Sequence, residues 1–216
     1  LSQRLLNTLK RLMGKARGSL AEYATLRTRS VVLSSCSLTV CIALLGAKNL
    51  DRYDYTRRIA WCMDVQSRAS AFGIDPKLVA GLSFHESSFR EVTSRKGARG
   101  VMQVMPDIHC SDINNCDLVD VGLEYLQYWL NRTKSPVRAI CHYNSGNICK
   151  PAGARWAVQV MKTVDMLHKK CEEETMPKVG KKKFAYTEKG KKAAKAYATK
   201  KKKTVTMSVP DGLEFN

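Results

Sequence analysis

Acidic residues are scarce in this chain. Nineteen Asp and Glu stand against 37 Lys and Arg, a formal net charge of +18 over 216 residues. That imbalance argues against a basic partner and favours a polyanionic one. Long alternating apolar–polar runs are missing too, which excludes a large sheet as the organising element. None of the eight cysteines belongs to a CxxC pair, so the usual zinc and thioredoxin spacings are absent. His109-Cys110 and Cys141-His142 are adjacent pairs without ligand spacing, and neither a metal nor a cofactor is expected. There is no internal repeat.

What remains is a chain long enough for one full domain with extensions, or two small domains. It can build a core without help from disulfides. Residues 1–30 form a basic leader with seven Lys or Arg against Glu22, and Leu5, Leu9, Leu12 and Met13 recur at helical spacing. Residues 31–47, VVLSSCSLTVCIALLGA, carry no charge over 17 positions. As a helix they would span about 25 Å, short of a hydrocarbon core of roughly 30 Å. The expectation is a membrane-directed segment, either an uncleaved anchor with its basic end cytoplasmic or an export signal. A helix buried against protein is the plainer alternative. Cys36 and Cys41 fall inside this segment. The six other cysteines then allow up to three bridges in an oxidising compartment, or stand as buried thiols.

Residues 48–171 read as one mainly helical domain. A helix is expected from Tyr55 to Phe72 and another from the Asp75-Pro76 start. Asp117 and Ser135-Pro136 open two more, and Gly153 to Cys171 forms the last, with a small hairpin or loop near 97–106. Residues 172–216 form a Lys-rich tail. Between Lys181 and Lys203 there are eleven Lys and one acid, Glu188, with too little apolar content for a core. This tail is expected to be disordered or loosely helical, with nucleic acid, anionic lipid or an acidic wall polymer as its contact.

The informative stretch is Asp75 to Pro106. Along the helix from Pro76, Leu78, Val79, Leu82, Glu86 and Phe89 make one stripe at the 3.6-residue period. Glu86 is carried with the apolar members. A carboxyl so placed has its charged form disfavoured, as a general acid for glycosidic cleavage needs. Periodicity alone leaves open the other reading, in which the stripe bends outward and Glu86 meets solvent or an Arg. Gly97-x-x-Gly100-Val101-Met102-Gln103 follows, a turn whose Gln103 offers both donor and acceptor to a sugar. His142-Tyr143-Asn144-Ser145-Gly146 later closes a short helix with an aromatic and an amide.

In this order, Glu86-Ser87, Gly97-x-x-Gly100-Val101-Met102-Gln103-x-x-Pro106 and Tyr143-Asn144-Ser145-Gly146 resemble the soluble lytic transglycosylase family, over residues 54–168. The resemblance implies a mainly α, lysozyme-like fold of the goose-type lysozyme and lytic transglycosylase kind, binding peptidoglycan glycan strands in a cleft. It implies Glu86 as the single catalytic acid and base, cleaving the β-1,4 bond between N-acetylmuramic acid and N-acetylglucosamine. The muramic 6-hydroxyl then closes a 1,6-anhydro ring without water. Ser87, Met102, Gln103, Tyr143 and Asn144 match substrate-binding positions. The chain departs from the family at His142, where Ala is common, and at Trp156, nearest the place of a frequent Tyr.

Two alternatives stand beside this reading. A hydrolytic muramidase on the same fold would need a second carboxylate to activate water. A non-catalytic glycan-binding or virion structural protein would need no acid at all. The implied setting is extracytoplasmic, with wall opening by a bacteriophage particle or by an envelope-spanning apparatus.

Overall fold

In the computed structural model, residues 35–46, 50–176, 178–180, 182–184, 187–201 and 205–206 are described. Chain contacts divide the molecule into two units, 1–32 and 33–216, and the first, with the expected leader, lies outside the described residues. The second unit is built mainly from helices. These are α1 (Ser35–Leu45), α2 (Arg52–Ala71), α3 (Pro76–Ser87), α4 (Pro106–His109), α5 (Leu118–Thr133), α6 (Pro136–Ser145), α7 (Pro151–Thr175) and α8 (Glu188–Lys201).

Polar residues at the expected places start these helices. Asp51 caps α2 by accepting from the Tyr53 and Asp54 amides, and Asp75 caps α3 through the Lys77 amide, with Pro76 in the first turn. Asp117 caps α5, and its carboxylate also receives Arg68 Nη1 at 2.5 Å, tying α5 to α2. That guanidinium holds the Asp117 carboxyl below its ordinary value against the opposing effect of burial.

α3 lies at the centre. It packs on α1, α2 and α7, with Leu78, Val79, Ala80 and Leu82 all buried. Gly81 permits the close approach to α7, since a Cβ there would stand 2.8 Å from Val164 Cγ2. α5 and α6 pair, and α6 in turn packs on α7.

The apolar segment is where the structure bears most on the sequence reading. Ser35–Leu45 is a helix of 11 residues packed inside the core, the arrangement of the plainer alternative of a helix buried against protein. Val40, Cys41, Leu44 and Leu45 are buried against α2, α7 and α3. Two disulfides fasten it, Cys36–Cys171 to α7 and Cys41–Cys62 to α2. Gln66 fills the polar gap, donating to the Ser37 carbonyl at 3.1 Å. Among the described residues no helix is long and apolar enough to cross a membrane. An uncharged run packed into a core carries the same composition as a short membrane helix, and only its partners separate the two.

Cysteine pairing also exceeds the expected three bridges. Cys110–Cys116 and Cys141–Cys149 complete a set of four that uses every cysteine. His109-Cys110 and Cys141-His142 therefore offer no thiolate to a metal.

The Lys-rich tail is ordered in part. Strands β1 (Lys178–Val179), β2 (Lys182–Lys183) and β3 (Val205–Thr206) pair antiparallel in the order β2-β1-β3. Val179, Ala194 and Ala198 are buried together, with Phe184 and Tyr197 packed beside them. Lys182 Nζ stands 4.7 Å from the Tyr197 ring centroid. Alanine on one face lets α8 sit close to the strands, while Lys189, Lys192, Lys195 and Lys200 remain exposed.

Candidate active site

Glu86 is the penultimate residue of α3. The chain then reverses through Ser88 and Phe89, both left-handed at φ 54° and 60°. Neither is glycine, and each such residue costs on the order of 1–2 kcal/mol. The cost is carried by burial of Phe89, which is fully enclosed with its ring centroid 6.2 Å from that of Phe84. This reversal fixes the end of α3 and the direction of Glu86. Sequence patterning gave no sign of it, because no Gly or Asn marks the turn.

The Glu86 side chain is partly buried, and no hydrogen bond or ion pair reaches it among the described residues. Burial alone raises its pKa, from an ordinary 4.5 to about 7. Among the described residues no neighbouring charge contributes, so the carboxyl is a solitary acid there.

Ser87, next to it, faces inward. It is 3% exposed, and its hydroxyl donates to the Val101 carbonyl at 2.8 Å while accepting from the Arg90 amide at 3.2 Å. The sequence reading had it contacting sugar; the structure gives its hydroxyl to the backbone instead, joining α3 to the 97–105 turn.

That turn is tight. Arg99 and Val104 exchange backbone hydrogen bonds at 2.7 and 3.0 Å, and Gly97, Gly100 and Gln103 have φ of 87°, 75° and 52°. Gly100 also lies against Leu118, whose Cδ1 would be 3.3 Å from an added Cβ. Gln103 Nε2 donates to the Val92 and Gly100 carbonyls at 2.9 and 2.8 Å. Both amide hydrogens are thus used internally, leaving the side-chain oxygen as an acceptor.

Met102 is buried, so its side chain supports the site from behind. Its carbonyl accepts from the Tyr143 hydroxyl at 2.9 Å, which brings α6 onto the turn. Gly122 on α5 makes room. A Cβ there would stand 3.0 Å from Met102 Sδ and 3.1 Å from Tyr143 Oη. Burial first, then the charge of Glu86, then Tyr125, push the Tyr143 hydroxyl well above its ordinary value. Glu86 and Tyr143 therefore share one electrostatic environment. Asn144 is exposed at the end of α6, its oxygen accepting from Ser145 Oγ at 3.4 Å.

Two groups escaped the sequence reading. Tyr125 packs on Tyr143 with centroids 5.3 Å apart and on His109 at 4.3 Å, extending one aromatic wall. Its position on α5 does not by itself say which side it faces. His85 forms an edge contact with Trp156, and its Nε2 meets Thr163 Oγ1 at 2.8 Å. Burial lowers its pKa, which favours the neutral ring.

A lone, partly buried acid at a helix end, beside a strained turn and an aromatic wall on an all-helical core, defines a lysozyme-like domain. Residues 63–155, less than half of the chain, match the family model described as the transglycosylase SLT domain. Over this stretch the chain is similar to the soluble lytic transglycosylase family, whose members are lyases acting on peptidoglycan. A search of curated proteins found no match.

Proposed function

We propose that Glu86 is the single general acid and base of this lytic transglycosylase. It protonates the oxygen of the β-1,4 bond leaving N-acetylmuramic acid and releases the N-acetylglucosamine side. The Glu86 carboxylate then takes the proton of the muramic 6-hydroxyl, whose oxygen attacks C1 to close the 1,6-anhydro ring. The substrate's acetamido group stabilises the positive charge between these events, so one carboxylate serves both.

The observation that carries this reading is the partly buried, unpartnered Glu86 carboxyl at the end of α3, whose pKa burial pushes up to about 7. A hydrolase would place a second carboxylate where it activates water. Among the described residues Glu91 is drawn towards Arg57 at 3.9 Å, and Asp107 is exposed on α4. Neither perturbs Glu86.

The Gln103 oxygen and the Asn144 amide supply acceptor and donor groups to the sugar, and Tyr143 provides an apolar wall. Ser87 and Met102 act from behind by holding the turn and Tyr143 in place. Four disulfides support an extracytoplasmic location. The exposed lysines of α8 support contact with a polyanion. The setting is local wall opening, by a bacteriophage particle during penetration or by an envelope-spanning apparatus.

Mass spectrometry of fragments released from purified peptidoglycan tests the chemistry. Anhydro-muramic ends are expected. Reducing muramic ends would assign a hydrolase, and wall degradation by Glu86→Gln matching the wild type would remove Glu86 from catalysis.

A further inference from the structure

α6 presents a second face. Tyr143 turns its hydroxyl to Met102, whereas Arg138 and His142, one turn apart, look elsewhere. They meet the last turns of α5, where Trp129, Arg132 and Thr133 share a side. With Asn147 these residues line a pocket of about 410 Å³. Its base is firmly built. Trp129 is 4% exposed, His142 stacks on it with centroids 4.3 Å apart, and His142 Nδ1 donates to the Gly146 carbonyl at 2.8 Å. Arg132 Nη1 donates to the Tyr128 hydroxyl at 3.1 Å, leaving the rest of its guanidinium fork for another acceptor.

The charge here is uncompensated. Residues 125–164 contain Lys or Arg at 132, 134, 138, 150, 155 and 162, and no Asp or Glu. Among the described residues neither Arg132 nor Arg138 has a carboxylate partner. Two guanidinium groups without a carboxylate partner over an aromatic floor suit a planar, bidentate anion. The pocket is joined to the active site by its own wall, since ring contacts run from Tyr143 to Tyr125 at 5.3 Å, to Trp129 at 6.2 Å, and on to His142.

The geometry points to a subsite in which Arg132 and Arg138 hold a carboxylate of the peptidoglycan stem peptide, an assignment that rests on cleavage of the glycan at Glu86. Hydroxyls and acetamides along the sugar chain are neutral. The negative charge of this substrate lies in the stems, which leave the strand through the muramic lactyl ether. The assignment requires a stem leaving a muramic residue near Tyr143 to run along α6, the helix that carries both Tyr143 and Arg138. Thr133 and Asn147 stand beside the two arginines as neutral partners for peptide groups.

The test compares the full-length protein with its Arg132→Gln/Arg138→Gln variant on three glycans: with intact stems, with stem carboxylates amidated, and stem-free. For intact stems kcat/KM is expected to fall about tenfold or more, and for the other two to change by less than about twofold, as loss of a charge-assisted contact requires. Arg138→Glu, which repels a carboxylate, is expected to lose more than Arg138→Gln on intact stems and nothing extra on stem-free glycan. Equal loss on all three glycans, or no loss on intact stems, overturns the subsite. Wild-type protein that cleaves all three equally would also overturn the subsite while leaving the cleavage reading in place. Wild-type protein that cleaves none would sink both.

Discussion

Replacing Glu86 by Gln tests the acid through stability as well as rate. The folded state holds the Glu86 proton up to about pH 7, whereas the unfolded chain releases it near 4.5. Below 4.5 both states are protonated and the group makes no difference. As pH rises towards 7 the unfolded state loses its proton first, so folding stability falls, and above 7 the full penalty is present. A shift from 4.5 to about 7, at 1.36 kcal/mol per unit, makes that penalty about 3 kcal/mol. Gln bears its own burial cost at every pH, so the informative quantity is the change in the mutant–wild-type difference. Denaturant titrations at about pH 5 and about pH 8.5 should show Glu86→Gln gaining about 2–3 kcal/mol on the wild type between them. The same variant should lose about 10²–10⁴-fold in rate, the usual worth of a positioned proton donor. Wild-type kcat/KM should decline as pH passes above about 7, where the acid is ionised. A stability difference that does not move with pH would refute the buried, solitary acid, whatever happened to the rate.

Three further outcomes follow from the packing. Starting the chain at Lys48 removes α1 and leaves Cys62 and Cys171 unpaired; with about 3 kcal/mol lost for the Cys41–Cys62 bridge alone, thermal unfolding should move sharply downward. An unchanged midpoint would restore the reading of residues 31–47 as a detachable segment. Gly122→Ala should cost about 1–3 kcal/mol by crowding Met102 and Tyr143, and should lower activity, both measurable by denaturation and turnover assays. Deleting residues 177–216 should weaken retention on anionic polymers in a salt-dependent way while leaving turnover on soluble glycan unchanged. Equal retention with and without the tail would remove it as a polyanion contact.

Much of the site was legible because it rests on local rules. Asp75-Pro76, Asp117 and Ser135-Pro136 start helices where cap chemistry says they should. The Glu86 stripe follows from helical period, and the resemblance to a family from three motifs in order. What stayed hidden depends on tertiary partners. Apolar composition could not say whether Ser35–Leu45 faces lipid or protein. Nor could spacing say that Cys36 finds Cys171, since the two are 135 residues apart. Ser87 and Met102 sit in the right motifs, but only packing shows that they turn inward. The place of Tyr125 beside Tyr143 emerges only from the meeting of α5 and α6.

Cys36–Cys171 closes the chain into a covalent ring. Glu86, Gln103 and Tyr143 all lie on that ring, as do the loops at 88–105 and 110–117. A single cut in either loop opens the ring without dividing it, so both new ends stay attached to one object. The short bridges Cys110–Cys116 and Cys141–Cys149 add the same insurance within the second loop and just beyond α6. A chain cut once in either loop thus keeps Glu86, Gln103 and Tyr143 on a single molecule. Only reduction separates the pieces.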